Sequence, residues 1–344
     1  MIVVHFESGL GNQMLNYAEY LAVKASHPDE EVYMENIIFE LGNEQDKINM
    51  WNGYELERVF GIKIPNISEL FSDSEWKEIV EKIKKSRFWN NNWDYSSVIC
   101  SVLQKHGIVL NNLILPNKKQ NTIKHNMIIK LSNTRMGYWL KRQYGKYNSN
   151  KMIEKKANPD GLFLYNEHDF YTGQKLLFMY KGNEIEKITS MLLHDFQFPE
   201  LCIDSQCWKI YKQIINCESV GIHIRRSDML YANSYLYKYG YFKRAVKLAR
   251  LKINNPVFFI FGDTNSTEWI KENPKRIGLL KEDIIVFVDC NKGNDSFKDM
   301  QLLSNCKCVI ITNSSFGWWG AFLNRRCDKV TISPFVNYNT TDWV

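Results

Sequence analysis

The sequence has no Asp-x-Asp pair, no Cys-x-x-Cys pair and no run of eighteen apolar residues. Each absence narrows the chemistry. Enzymes that handle phosphate through a divalent ion commonly present paired aspartates, so no bound metal is expected and any anion is expected to meet side-chain cations. The eight cysteines lack zinc or redox spacing and read as reduced, mostly buried thiols. Without a long apolar run, no ordinary membrane-spanning helix is expected. The opening MIVVHFESGLGNQ carries neither a basic leader nor a signal-peptide core. It reads as a first strand, and the expected location is cytoplasmic.

A chain of 344 residues exceeds what one hydrophobic core usually serves. Two domains are expected, over 1–203 and 204–344. The formal net charge is +6, but it is unevenly spread. Residues 118–156 hold eleven Lys or Arg against the single acid Glu154. Such a segment is either a solvated helical face or a patch drawn to acidic membrane, where each cation near the surface gains about 1 kcal/mol. No helix-turn-helix, zinc or ribonucleoprotein motif accompanies the charge, so nucleic acid is not an expected partner.

The first residues read as strand (IVVHF), glycine loop (ESGLGN) and helix (QMLNYAEYLAVKAS), with Met14, Ala18, Leu21, Ala22 and Ala25 at helical spacing. This is a Rossmann-like opening. A dinucleotide fingerprint requires a third glycine where Met14 stands, which argues against a nicotinamide cofactor. The middle of the chain is less legible, apart from the amphipathic helix EWKEIVEKIKK. After Cys202, short apolar strands (SVGIHI, PVFFIFGD, IIVFVD, CVIIT, KVTIS) alternate strictly with helices. That alternation specifies an α/β fold with a parallel sheet covered on both faces.

In such sheets ligands bind beyond the carboxyl ends of the strands. Three groups of residues fall there: His223 to Asp228, Gly262 with Asp263, and Asn313 to Phe316. Arg225 and Arg226 suit phosphate oxygens, which guanidinium groups hold through paired charge-assisted hydrogen bonds. One of them could instead pair with Asp228 as scaffolding. Ser314 and Ser315 would open a helix, whose free N–H groups favour an anion. Asp263 could accept from the N1–H and amine of guanine, or cap the helix that follows. His223 could seat a base or be a satisfied core histidine. Trp318 and Trp319 are adjacent on a helix and cannot share a face, so at least one is expected in the core.

GLGNQM, HIRRSD, FVDCNKGNDSFKDMQLLSNC and NSSFGWWGAFLN, taken together and in order, resemble the α-1,2-fucosyltransferases of glycosyltransferase family 11. The resemblance implies a GT-B-type fold, two Rossmann-like domains facing across a cleft. It implies inverting, metal-independent transfer of L-fucose from GDP-L-fucose to a sugar hydroxyl of an oligosaccharide or lipid-linked glycan. No cofactor beyond the donor substrate is implied. Carried over by motif, Arg225 grips the β-phosphate with Arg226 nearby, His223 and Asp263 contact guanine, and Ser314, Ser315 and Phe316 close around the diphosphate, with Asn313 also among the substrate-binding residues. Gly11, Asn12 and Gln13 would reach the donor from the other domain. Asp228 is the expected general base, with an orienting role toward Arg226 as the alternative. Two departures stand out: Ser8 replaces the first glycine of the family's Gly-Gly-Leu-Gly-Asn-Gln, and Thr264 replaces a second acid after Asp263.

Overall fold

The computed structural model describes residues 1–42, 51–90, 94–110, 122–141, 143, 144, 147, 169–171, 183–226, 230 and 234–334. Its contacts divide the chain into two compact units, Met1–Thr122 with Met152–Gln197, and Ile123–Lys151 with Phe198–Val344. The division falls at 197/198, not at the expected 203/204, because Phe198 stacks on Phe297 and Gln301 Nε2 donates to the Pro199 carbonyl at 2.8 Å. The stretch 123–151 groups with the second unit for an equally local reason. Tyr138 stacks on Tyr235 with centroids 4.5 Å apart, and Asn133 Oδ1 accepts from Ser234 Oγ at 2.9 Å.

The first unit holds a three-stranded parallel sheet in the order β2-β1-β3, with β1 at Ile2–His5, β2 at Val32–Glu35 and β3 at Phe170–Tyr171. Helix α1 (Leu10–Ser26) follows β1. It is buried almost all round from Leu10 to Val23, whereas Ala25, expected on its apolar face, is exposed near the helix end. Helix α2 (Asp73–Ser86) opens with a capping box, Ser72 accepting from the Glu75 N–H while Glu75 accepts from the Ser72 N–H. Its Trp76, Ile79, Val80 and Ile83 face the core as their spacing requires. They pack with Ile99 and Leu103 of α3 (Tyr95–Lys105) and with Phe170.

One buried charge cluster ties this sheet together. His5 and Glu35 are register partners across β1 and β2, and His5 Nδ1 lies 2.7 Å from Glu35 Oε2. The other Glu35 oxygen accepts from the Ile37 N–H and the Tyr95 hydroxyl, each at 2.6 Å. His5 Nε2 is 3.5 Å from Glu7. Burial alone would lower the imidazole pKa, but the Glu35 and Glu7 carboxylates outweigh it and hold it at about 10. His5 is therefore a buried cation at neutral pH.

Just past Glu7, Ser8 adopts φ 68°, the left-handed region. This accounts for the glycine usual at that position in the resembled family, since Cβ is disfavoured there by roughly 1–2 kcal/mol. Ser8→Gly is expected to stabilise the first unit by about 1 kcal/mol, read as a higher urea midpoint at unchanged m-value.

The second unit is a five-stranded parallel sheet in the order β6-β5-β4-β7-β8. Its strands are β4 (Ser219–Ile224), β5 (Val257–Gly262), β6 (Ile284–Val288), β7 (Cys308–Ile310) and β8 (Val330–Ile332), each where alternation placed one. Helices α4 (Thr122–Ser132), α5 (Gln206–Ile215), α6 (Tyr241–Lys252), α7 (Thr264–Glu272), α8 (Phe297–Leu303) and α9 (Ser315–Phe322) belong with it. Val220, Ile222 and Ile224 share a core with Phe242, Val246 and Ala249 of α6. Alternation turns Gly221 the other way, where α8 presses so close that a Cβ would meet Leu303 Cδ1 at 2.7 Å. The sheet is thus covered on both faces.

Candidate functional site

The strand order of the second unit reverses between β4 and β7: from β4 the chain builds outward through β5 and β6, then returns to place β7 and β8 on the opposite side. That reversal is the topological switch point at which parallel sheets bind ligands. His223, Arg225 and Arg226 stand at the carboxyl end of β4, Asp263 follows β5, and Thr312 to Phe316 follow β7. The described members of all three groups singled out by sequence therefore reach one edge of one sheet.

The α9 start is seated directly on β4. The His223 and Phe316 rings stack with centroids 5.4 Å apart, and a Cβ on Gly317 would lie 2.6 Å from His223 Nδ1. Only glycine permits this approach of the helix to the strand. His223 is 5% exposed, and its Nδ1 has no hydrogen-bond partner among the described residues. Burial first, and the Arg225 charge second, push its pKa down to about 3, so the ring is neutral at physiological pH. A buried ring nitrogen without a partner is costly unless a ligand or water supplies one.

Around it, Asn313 and Ser314 are buried, while Ser315 and Phe316 are partly open. Ser314 is the N-cap residue of α9, and its N–H donates to Thr312 Oγ1 at 3.4 Å. The first-turn N–H groups that any helix leaves without intrahelical partners point away from the helix at this end, which favours an anion.

On the other side of β4, Arg226 lies over Trp269, its Cζ 3.8 Å from the ring centroid, with Tyr237 at 5.7 Å. This is a cation–π contact that fixes the guanidinium. The Arg226 N–H donates to Ser266 Oγ at 2.9 Å, and the Tyr237 hydroxyl donates to the Arg225 carbonyl at 2.6 Å. Asp263 caps α7: Oδ1 accepts from the Ser266 N–H at 2.9 Å and Oδ2 from the Ser266 hydroxyl at 2.7 Å. Asp263 thus caps α7, and Ser266 locks the ends of β4 and β5 together.

Trp269, Tyr237, Ser266 and Gly317 were not singled out in the sequence. A signal existed for two of them. Asp263, Ser266 and Trp269 recur at three-residue spacing, which stacks a cap, its partner and a ring along one helix face. Both Trp318 and Trp319 are fully buried, because α9 is enclosed on all sides of that turn.

Gly11, Asn12 and Gln13 belong to the first unit, in the opening turn of α1. Gln13 has a clear holding role. Its Nε2 donates to the Ser8 and Gly53 carbonyls at 2.8 and 2.9 Å, and its Oε1 accepts from the Glu55 N–H at 2.8 Å. The expected base Asp228 lies outside the described residues, as does much of 118–156. Among the described residues, no three His, Cys, Asp or Glu side chains gather as a metal site.

The sequence model of the family described as Glycosyl transferase family 11 matches residues 80–342, more than half of the chain and the whole of this strand-end cluster. The chain belongs to glycosyl transferase family 11. The family 11 chain is 36% identical over 132 residues to an alpha-1,2-colitosyltransferase of Escherichia coli, covering 37% of this chain and 43% of that protein. The O-antigen biosynthesis glycosyltransferase WbnK of Escherichia coli is 30% identical over 162 residues, 44% of this chain and 50% of that one. A galactoside alpha-(1,2)-fucosyltransferase 2 of Rattus norvegicus is 30% identical over 109 residues, 30% of this chain and 29% of that one. The aligned part thus spans half or less of the length of each of these curated relatives. Among solved structures, the NodZ alpha-1,6-fucosyltransferase soaked with GDP-fucose aligns over 93% of this family 11 chain and 90% of its own, at a TM-score of 0.39 and 12% identity.

Proposed function

We propose that the protein is an inverting, metal-independent α-1,2-fucosyltransferase that moves L-fucose from GDP-L-fucose to a galactoside hydroxyl of a glycan. The observation that carries this reading is the seating of α9 on His223 at the switch point, which gathers a helix N-terminus, an unsatisfied buried ring nitrogen and the Arg225–Arg226 pair at one sheet edge. In this reading the α9 N–H groups and Arg225 hold the diphosphate. Arg226, fixed on Trp269, supplies the second cation. The fucose C1–O bond breaks with its electron pair going to the β-phosphate, whose growing charge these groups stabilise more than they stabilise the ground state. The acceptor oxygen bonds to C1 from the opposite face and gives up its proton to Asp228. His223 and Asp263 meet the guanine.

A second reading keeps the chemistry and changes the donor sugar. The E. coli relative at 36% identity is named a colitosyltransferase, and colitose is fucose without one ring hydroxyl. A site that hydrogen-bonds that hydroxyl would reject the deoxy sugar strongly, whereas an apolar wall there would not. The deciding experiment incubates the protein, with EDTA present, with GDP-fucose or GDP-colitose and a panel of galactosides, followed by linkage analysis. The expected product is an α-1,2-fucosylated galactoside. A product from GDP-colitose alone selects the second reading, and no affinity for GDP by calorimetry removes both.

A further inference from the structure

The second unit displays an apolar stripe that its own core does not use. Backbone over 135–141, and again at 143, 144 and 147, is helical. Met136, Trp139 and Leu140 fall at steps of three and four residues and so share one face of the helix over 135–141, and Tyr144 and Tyr147 follow at eight and eleven residues from Met136, again on helical backbone. Met136 is 73% exposed, Trp139 54% and Tyr144 67%, with Leu140 and Tyr147 likewise open. Met127, Ile128 and Leu131 of α4, the helix just before it in sequence, are exposed as well.

The helix is nevertheless firmly attached, by its opposite face. Tyr138 stacks on the buried Tyr235, and Lys141 Nζ lies 5.4 Å from the same ring's centroid. At the turn before it, the Tyr239 hydroxyl donates to the Asn133 carbonyl at 2.7 Å, and Asn133 Oδ1 accepts from the Ser234 hydroxyl and the Tyr235 N–H. Gly137 lets the helix turn tightly off α4, since a Cβ there would lie 1.8 Å from the Leu131 carbonyl oxygen. The outward presentation of the stripe is therefore set by packing.

Contiguous exposed apolar surface of this kind marks an interaction site. Charge selects the partner. Lys130 and Arg135 are exposed beside the stripe, and residues 118–156 carry eleven cations and one acid. A second copy of a segment with this net positive charge would be repelled, whereas an anionic surface would be attracted. Aliphatic, Trp and Tyr side chains flanked by Lys and Arg are the composition of a helix lying in a lipid interface. Among the described residues no helix is long and apolar enough to cross a membrane, so the contact is a lateral one.

We propose that the face formed by Met136, Trp139, Leu140, Tyr144 and Tyr147, with Met127, Ile128 and Leu131, docks the protein on an anionic lipid bilayer. The test is co-sedimentation of the full chain with vesicles of phosphatidylcholine alone and of phosphatidylcholine with 30% phosphatidylglycerol. Binding to the anionic vesicles is expected to exceed binding to the neutral ones by about 10-fold or more at low salt, and to fall as salt is raised. The double variant Met136→Glu, Trp139→Glu is expected to lose the anionic binding by about 10-fold while keeping the wild-type unfolding midpoint, because both residues are exposed. Lys130→Glu with Arg135→Glu is expected to lower only the preference for anionic over neutral vesicles. Wild-type protein that stays in the supernatant with both vesicles would overturn the proposal. So would equal binding to both, or a wild-type dimer in light scattering that the apolar double variant abolishes without any change in vesicle binding.

Discussion

Arg225→Ala is expected to lower fucosyl transfer by about 10²-fold or more, the usual consequence of losing one donor to a transition-state charge. Arg225 begins the loop at the carboxyl end of β4 and is only partly buried. Its backbone is held by the Tyr237 hydroxyl, so removal of the side chain leaves the loop anchored. In the proposed mechanism the loss should fall on kcat, because the charge that Arg225 would meet grows as the diphosphate leaves. Arg225→Lys restores a cation without the planar fork and should recover only part of the rate. The check is kcat and KM for GDP-fucose with a soluble galactoside acceptor, alongside calorimetric GDP affinity. Near-normal turnover in Arg225→Ala would remove this residue from the mechanism. Arg226→Ala differs in kind, since it also vacates the Trp269 face and is expected to disturb the packing between β4 and α7.

Glu35→Ala should cost the fold about 3–5 kcal/mol, as breaking a buried ion pair does. It would strand the His5 imidazolium, the Tyr95 hydroxyl and the Ile37 N–H in a site from which water is excluded. The cost should also depend on pH. His5 has its folded pKa raised from 6.5 to about 10, so the stability its pairing contributes is complete below pH 6.5 and is lost as pH rises through about 10. Urea unfolding of wild type and variant at pH 6 and at pH 10.5 should therefore show a wide gap in the first case and a narrower one in the second. A gap that does not change between the two would mean that His5 is neutral in the fold.

The second unit was legible because its strands are short, apolar and separated by helices of recognisable period, and because strand ends in such sheets bind ligands. His223, Arg225, Asp263 and Ser314 follow from that rule alone. Trp269 did not, since its contact with Arg226 joins elements separated by the whole of α6 and β5, and Tyr237, eleven residues after Arg226, lies beyond the strand end that the rule singles out. Gln13 reads as the polar first residue of a helix, yet its amide is occupied by three backbone groups, two of which only the return of residues 53–55 supplies. The grouping of 123–151 with the second unit depends on single contacts of Asn133 and Tyr138 with residues a hundred positions later, which carry no local signature.

That excursion has a consequence for biosynthesis. Residues 123–151 leave the ribosome long before the Tyr235 region on which they rest. At a synthesis rate of about 5–20 residues per second the wait lasts several seconds or longer. Throughout it Asn133 and Tyr138 wait for the hydrogen bond and the ring that hold them in the fold, so the segment is expected to be among the last of the second unit to settle.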